Sequence, residues 1–156
     1  SLNAIFSFDD SNFSGTGGAL KKASNKIEKP FFVTYGDSLL SVDMKLLSKN
    51  FDPNKGPLMC IYKNDNKFDK SNCKISSGNL IYEKNNADDS FNFIDYGIGI
   101  YKSEHFKSFS DNFDLSETQE YFSKEKLLQF YIASERFYEI GSIEGLNEFR
   151  KKIDSI

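Results

Sequence analysis

The chain has 156 residues and a formal charge of −3, from 20 Lys and Arg against 23 Asp and Glu, enough for one domain with a sizeable core and too little for two. Hydrophobic residues at 38% and charged residues at 28% exclude a disordered tail. The interspersed signs argue against nucleic acid as a partner, since that grip needs a clustered basic surface, and no apolar run nears the roughly 20 residues that span a membrane.

Taken in chain order, residues 4–8 read as a short β-like run and 9–14 as a polar loop. Gly15-Thr16-Gly17-Gly18 leads into a weak helix over 19–25. Residues 31–35 (Phe-Phe-Val-Thr-Tyr) are aromatic and β-branched without alternation, the pattern of a fully buried strand, and Gly36-Asp37 ends it. Asp43 is placed as a helix N-cap, with Met44, Leu47 and Phe51 at helical spacing after it. A second buried strand is expected over 58–62, then a hairpin with strands 73–76 and 80–84 turning at Ser77-Gly78. Residues 94–101 form a further strand in which Gly97 and Gly99 imply a bulge or a close backbone approach. Asp114 with Glu117 makes a capping box for a helix through Phe122. Strands follow at 128–132 and 137–140. A last helix from Ser142 would bury Leu146, Phe149 and Ile153. The whole is one α/β unit.

Two cysteines make no disulfide framework, and the single His105, read as a helix-face residue, leaves no zinc cluster. Cys60, inside an apolar run, reads as a buried reduced thiol, and a cytoplasmic protein is expected.

Four features carry candidate chemistry. Asp37 follows a buried strand, which places it where open α/β sheets bind ligands; it is equally the residue of a plain turn. Glu139 lies within an apolar strand, where an acid is unusual unless it pairs, binds metal or faces water at an edge. Together they would make a carboxylate clamp for a hard cation. Glu83-Lys84 ends a hairpin strand and suits a sugar hydroxyl and a phosphate, or simply solvent. Gly15-Thr16-Gly17-Gly18 lacks a Rossmann or P-loop spacing but lets a ligand approach the backbone. The loop 63–74 is polar enough to bond a sugar, and equally ordinary surface. Tyr82, Tyr96 and Tyr101 read as packing residues.

In this order, these motifs resemble those of the sugar-1-phosphate nucleotidyltransferases. The resemblance rests on Gly15-Thr16-Gly17-Gly18-Ala19-Leu20 and on Phe32-Val33-Thr34-Tyr35-Gly36-Asp37-Ser38. Ile94-Asp95-Tyr96-Gly97-Ile98-Gly99 and Arg136-Phe137-Tyr138-Glu139-Ile140-Gly141-Ser142 are similar to the branch of the D-glycero-D-manno-heptose 1-phosphate guanylyltransferases. The resemblance implies a Rossmann-like mixed sheet with flanking helices, of the nucleotide-diphospho-sugar transferase type. Gly15, Thr16, Gly17 and Gly18 would lie against the nucleotide. Asp37 and Glu139 would hold Mg²⁺, and Glu83 and Lys84 would meet the sugar and its phosphate. Asp95, Tyr96 and Gly97 would line the sugar pocket. Asp95 and Glu139 stand where many relatives have Asn and Asp.

The implied reaction joins a sugar 1-phosphate, a heptose or hexose, to a nucleoside triphosphate, GTP in this branch, and releases pyrophosphate. The family's G-x-G-x-R loop and the Lys after it have no counterpart, for residues 1–14 hold neither Gly nor Arg. The expectation is therefore an N-terminally incomplete domain. Residues 1–156 would be its C-terminal, sugar-binding two-thirds, completed by a partner or associating with itself, and with little activity alone. A non-catalytic nucleotide-sugar binding module is the alternative.

Overall fold

Short apolar runs bounded by turn residues become strands, and longer periodic ones become helices. The computed structural model describes residues 4–8 and 15–154. Its elements are α1 (Gly15–Ser24), β1 (Phe31–Thr34), β2 (Ser38–Leu39), α2 (Met44–Lys49), β3 (Leu58–Lys63), β4 (Cys73–Ser76), β5 (Asn79–Tyr82) and β6 (Phe93–Tyr101). A 3₁₀ turn (Ser103–Phe106), α3 (Leu115–Lys124), β7 (Gln129–Ala133), β8 (Tyr138–Glu139) and α4 (Ile143–Ile153) complete the order.

The nine-residue β6 is the hub. β3 runs antiparallel along one side of it; on the other side β4 pairs at Phe93 and β1 pairs at residues 98–101. β7 continues the sheet beyond β3, parallel to it, and β5 continues it beyond β4. β1, β3 and β7 therefore point the same way, and their C-terminal ends share one edge with the start of β6. The expected mixed sheet with flanking helices is present. β2 and β8 form a separate two-stranded ribbon, with Ser38 opposite Glu139.

Successive side chains of β6 face opposite sides. Tyr96, Ile98 and Ile100 pack with Leu47 of α2, Leu58, Cys60 and Ala133. Tyr101 packs on the other side with Phe106, Phe113 and Leu115, under α1 and α3. A further cluster joins Met59, Ile61, Cys73, Leu80, Tyr82 and Leu128, with Phe122 of α3 against it. Ser123 of α3 ties that helix to β5: its hydroxyl accepts from the Tyr82 N–H at 3.0 Å and donates to the Leu80 carbonyl at 3.1 Å.

Most sequence expectations hold. Asp43 caps α2 by accepting from the Lys45 and Leu46 N–H groups, the Asp114–Glu117 capping box is formed, and Ser142 caps α4. The hairpin turns at Ser77 and Gly78, both at positive φ. Cys60 and Cys73 are buried free thiols. Gly97 sits at φ +83°, and the β3–β6 register shifts between Met59 and Ile61, so the bulge is real. Among the described residues no helix is long and apolar enough to cross a membrane.

Four expectations need correction. Residues 4–8 form no strand, and Ile5, Phe6 and Phe8 are exposed; they have no neighbouring strand to share hydrogen bonds with. The loop expected over 9–14 lies outside the described residues. β1 is half-buried in alternation rather than fully buried, because Phe31 and Val33 face the α1–α3 cluster while Phe32 and Thr34 face away. α1 starts four residues early, with the glycine turn as its first turn. α4 buries no residue completely, and Ile153 is half exposed, since the helix rests mainly on β8 of the small β2–β8 ribbon. His105 lies on the 3₁₀ turn, in keeping with a helix-face residue, and is buried, its ring edge-on to Phe122 at 5.3 Å; burial lowers its pKa to about 4.

Candidate active site

The ribbon of β2 and β8 decides where the two carboxylates go. The Ile140 N–H donates to the Asp37 carbonyl at 2.8 Å, which locks the chain after β1 beside the chain after β8. Gly141 lies between the two acids. A Cβ there would stand 2.6 Å from Glu139 Oε1 and 3.0 Å from Asp37 Oδ2, so both oxygens flank one point, which Gly141 leaves open. Both acids are exposed, and among the described residues no lysine or arginine is ion-paired to either. Two hard oxygen donors without His or Cys suit a magnesium-class ion that takes its remaining ligands from water and phosphate. The residues present fit that ion, and among the described residues no cluster of three or more ligating side chains competes with this pair.

A narrow slot adjoins the pair along the end of β1. Tyr35, two residues before Asp37, is bonded to β6 by its N–H at the Gly97 carbonyl, 3.2 Å, and its ring lies over Gly97, where a Cβ would come within 3.2 Å. Asp95 faces the slot beside Gly97. Its Oδ1 accepts from the Gly97 N–H at 2.9 Å and its Oδ2 from Gln119 Nε2 at 3.3 Å. Burial pushes the Asp95 carboxyl up to about 6, against the pull of those two hydrogen bonds.

That pKa carries a stability prediction. A carboxyl that holds its proton more tightly when folded contributes stability below its unfolded value of 3.8, and loses it as pH rises through about 6. Asp95→Asn removes the buried charge while its side-chain oxygen can still accept from Gly97. It is expected to melt above the wild type at pH 7.5, by about 5 °C, with the gap closing near pH 4. Melting curves at the two pH values check this.

The glycine turn meets the start of α3. The Gly17 and Gly18 N–H groups both donate to the Phe113 carbonyl, at 3.0 and 3.1 Å. Thr16 Oγ1 accepts from the Leu115 N–H at 3.0 Å, and Leu115 in turn lines the slot. Of the four residues only Thr16 is exposed. Lys84 joins this corner through an ion pair with Asp114, 3.5 Å.

The structure therefore brings together Asp37, Glu139, Asp95, Gly97, Lys84 and the Gly15–Gly18 turn in one continuous region. Two side chains stay out of the slot. Tyr96 points through the other face of the sheet into the core, its hydroxyl accepting from the Ser41 N–H, as the two-residue period of a strand requires. Glu83 lines a separate groove with Ser76, Asn79 and Lys124.

Residues not expected from the sequence also shape the region. Gln119 stands on the buried face of α3, and a Gln in register with Leu115 was the available signal. Arg136 stacks on the exposed ring of Phe68, 3.5 Å from its centroid, and pairs with Glu148 of α4. It thereby walls a cleft of about 160 Å³ beside Glu139. The loop behind Phe68 is ordered from within, by the buried Asn64, whose amide donates to the Asp69 carbonyl and to Ser71.

This arrangement has the fold of the nucleotide-diphospho-sugar transferases, a mixed sheet with its candidate site at the C-terminal ends of the parallel strands. Among solved structures it is similar to a Bacillus anthracis protein assigned as a glucose-1-phosphate thymidylyltransferase, solved with sucrose, at TM-score 0.74 and 16% identity over 95% of this chain. HddC from Yersinia pseudotuberculosis, in complex with GMP-PN, gives a TM-score of 0.65 at 20% identity over 92%. The inositol-1-phosphate CTP transferase of T. maritima gives 0.68 at 17% over 91%. The chain spans 64%, 64% and 62% of those chains, less than two thirds of each. No family model matches the sequence, and no curated protein does.

Proposed function

We propose that these residues are the sugar-phosphate side of a nucleotidyltransferase, which transfers a nucleotidyl group, from GTP, to a heptose or hexose 1-phosphate. The observation that carries the reading is the convergence of Asp37 and Glu139, 102 positions apart, on the point that Gly141 leaves open. The neighbouring Asp95 slot offers a carboxylate acceptor and room for one hydroxyl of such a substrate.

The chemistry follows from charge. An oxygen of the sugar phosphate attacks the α-phosphorus in line, a new P–O bond forms, and the bond to pyrophosphate breaks. The nucleophile is already an anion, so no general base is required. The obstacle is the approach of two polyanions. Asp37 and Glu139 would hold Mg²⁺, which when bound supplies charge neutralisation for the phosphates. Lys84 would turn from Asp114 towards the phosphate as a point charge, and Asp95 would orient the sugar by accepting a hydroxyl. The grip on the triphosphate would come from further chain, from another copy or from a partner. A strand added at the outer edge of β1 would bring it to the same sheet edge, and these 156 residues alone would turn over slowly.

Calorimetric titration of the chain with heptose and hexose 1-phosphates and with GDP-sugars, with and without Mg²⁺, tests this reading. The expected result is Mg²⁺-dependent binding with little pyrophosphate release from GTP. Absence of binding by every sugar phosphate and nucleotide sugar would overturn it.

A further inference from the structure

Gln119 is a polar residue of the slot that the reaction described above does not use. It is 3% exposed and lies on α3 one turn after Leu115. Its Nε2 donates to Asp95 Oδ2 and to Tyr101 Oη, at 3.3 and 3.2 Å. Its Oε1 is buried and has no hydrogen-bond partner among the described residues. The opposite amide orientation would set Oε1 against the Asp95 carboxylate, so the donor side is fixed by its neighbour. A buried carbonyl oxygen without a donor is costly and calls for an explanation.

The slot supplies one. Its walls are Tyr35, Asp95, Gly97, Tyr101, Leu115 and Gln119, and it has room for about 10 Å³, the size of a single water or hydroxyl group. Gly97 lets the Tyr35 ring close against this wall, where a Cβ would come within 3.2 Å of it. The Asp95 carboxylate, which accepts one N–H at each oxygen and keeps further lone pairs, and the Gln119 amide both belong to the lining of a space that takes one small group.

We propose that Gln119 is a specificity-determining residue, which with Asp95 reads a single hydroxyl of the bound sugar phosphate and leaves no room for a larger substituent there. Gln119 acts in two ways: it holds Asp95 in one orientation through Nε2, and it offers Oε1 as a second acceptor. A hydroxyl gives its proton to one acceptor and sits within reach of the other, whereas a deoxy carbon leaves both without a donor. The inference rests on the sugar-phosphate reading above.

The test measures binding by calorimetry of α-D-glucose, α-D-mannose and D-glycero-α-D-manno-heptose 1-phosphates. The sugar that binds most tightly is then compared with its monodeoxy analogues. In the wild type, one analogue is expected to bind about tenfold or more weakly than the parent while the others stay within about threefold. In Gln119→Met, which keeps the side-chain volume without the amide, that single penalty is expected to shrink below about threefold. A ¹³C titration of the Asp95 carboxyl in both proteins adds a readout that packing alone would not move, and its midpoint is expected to rise when the amide donor is lost. If sugars bind but no analogue stands out, or if the penalty is unchanged in Gln119→Met, the inference falls while the sugar-phosphate reading stands. If no sugar phosphate binds the wild type, both fall.

Discussion

Asp37→Asn and Glu139→Gln are each expected to weaken Mg²⁺ binding at least about tenfold and leave the fold as stable as before, or more so. Each acid supplies an anionic oxygen to the point left open by Gly141, and an amide of the same shape removes the charge without changing the packing. Near a protein surface, one unit charge at contact distance contributes up to a few kcal/mol, and solvent exposure reduces that. Stability separates this reading from a structural one. Two neighbouring carboxylates repel, and none of the ion pairs seen among the described residues includes either, so neutralising one relieves repulsion. If the pair served the fold, either variant would melt lower. Mg²⁺ at about 100 times its Kd is expected to add about 2.7 kcal/mol to the wild type and little to either variant. Melting curves with and without Mg²⁺, beside calorimetric titration, decide the matter. Equal Mg²⁺ stabilisation of wild type and variants would remove the metal role from these two residues.

Gly15→Ala and Gly17→Ala are expected to cost about 2–4 kcal/mol each, or roughly 5–15 °C in Tm for a chain of this size. A Cβ on Gly17 would stand 2.3 Å from the Phe113 ring, and one on Gly15 would stand 2.4 Å from the Phe113 carbonyl at a φ of +69°. Neither contact is with a flexible side-chain tip, so α1 must lift from the start of α3. Gly36→Ala is the control: no atom lies within 4 Å of its Cβ position and its φ is ordinary, so its effect should stay within about 0.5 kcal/mol. The comparison also separates two roles for the glycine turn. The contact with Phe113 predicts unfolding at lower temperature whether or not nucleotide is present, whereas a role confined to the nucleotide predicts an unchanged apo Tm with weaker binding.

How far the sequence can be read depends on whether an element's partners are local. The β4–β5 hairpin, the Asp43 and Ser142 caps and the Asp114–Glu117 box were all legible, because each is settled within a few residues. Burial of β1 was not, since a run of apolar residues does not say which face has a neighbour. Residues 4–8 and α4 failed in the same way: their apolar side chains are real, but the surfaces to cover them are missing or small. In the site, Asp37 and Glu139 were recognisable singly, but their meeting depends on a ribbon of two residues per strand, too short to leave a periodic pattern. Tyr96 and Asp95 are adjacent in sequence and sit on opposite sides of the sheet, a separation that any strand imposes. Gln119 was overlooked because a polar residue in a capped, charged helix passes for solvent-facing until its register with Leu115 and Ser123 is counted.

The serine that bridges α3 to β5 has a consequence for how molecules of this chain can meet. By occupying the outward N–H of Tyr82 and the outward carbonyl of Leu80, Ser123 removes two of the groups a visiting strand would need on that side. Strand addition is thereby disfavoured at the β5 edge, and among the described residues β1 and β7 are the other outer strands of the six-stranded sheet. A contact between copies made through the backbone of that sheet is therefore expected at β1 or β7 rather than hairpin to hairpin.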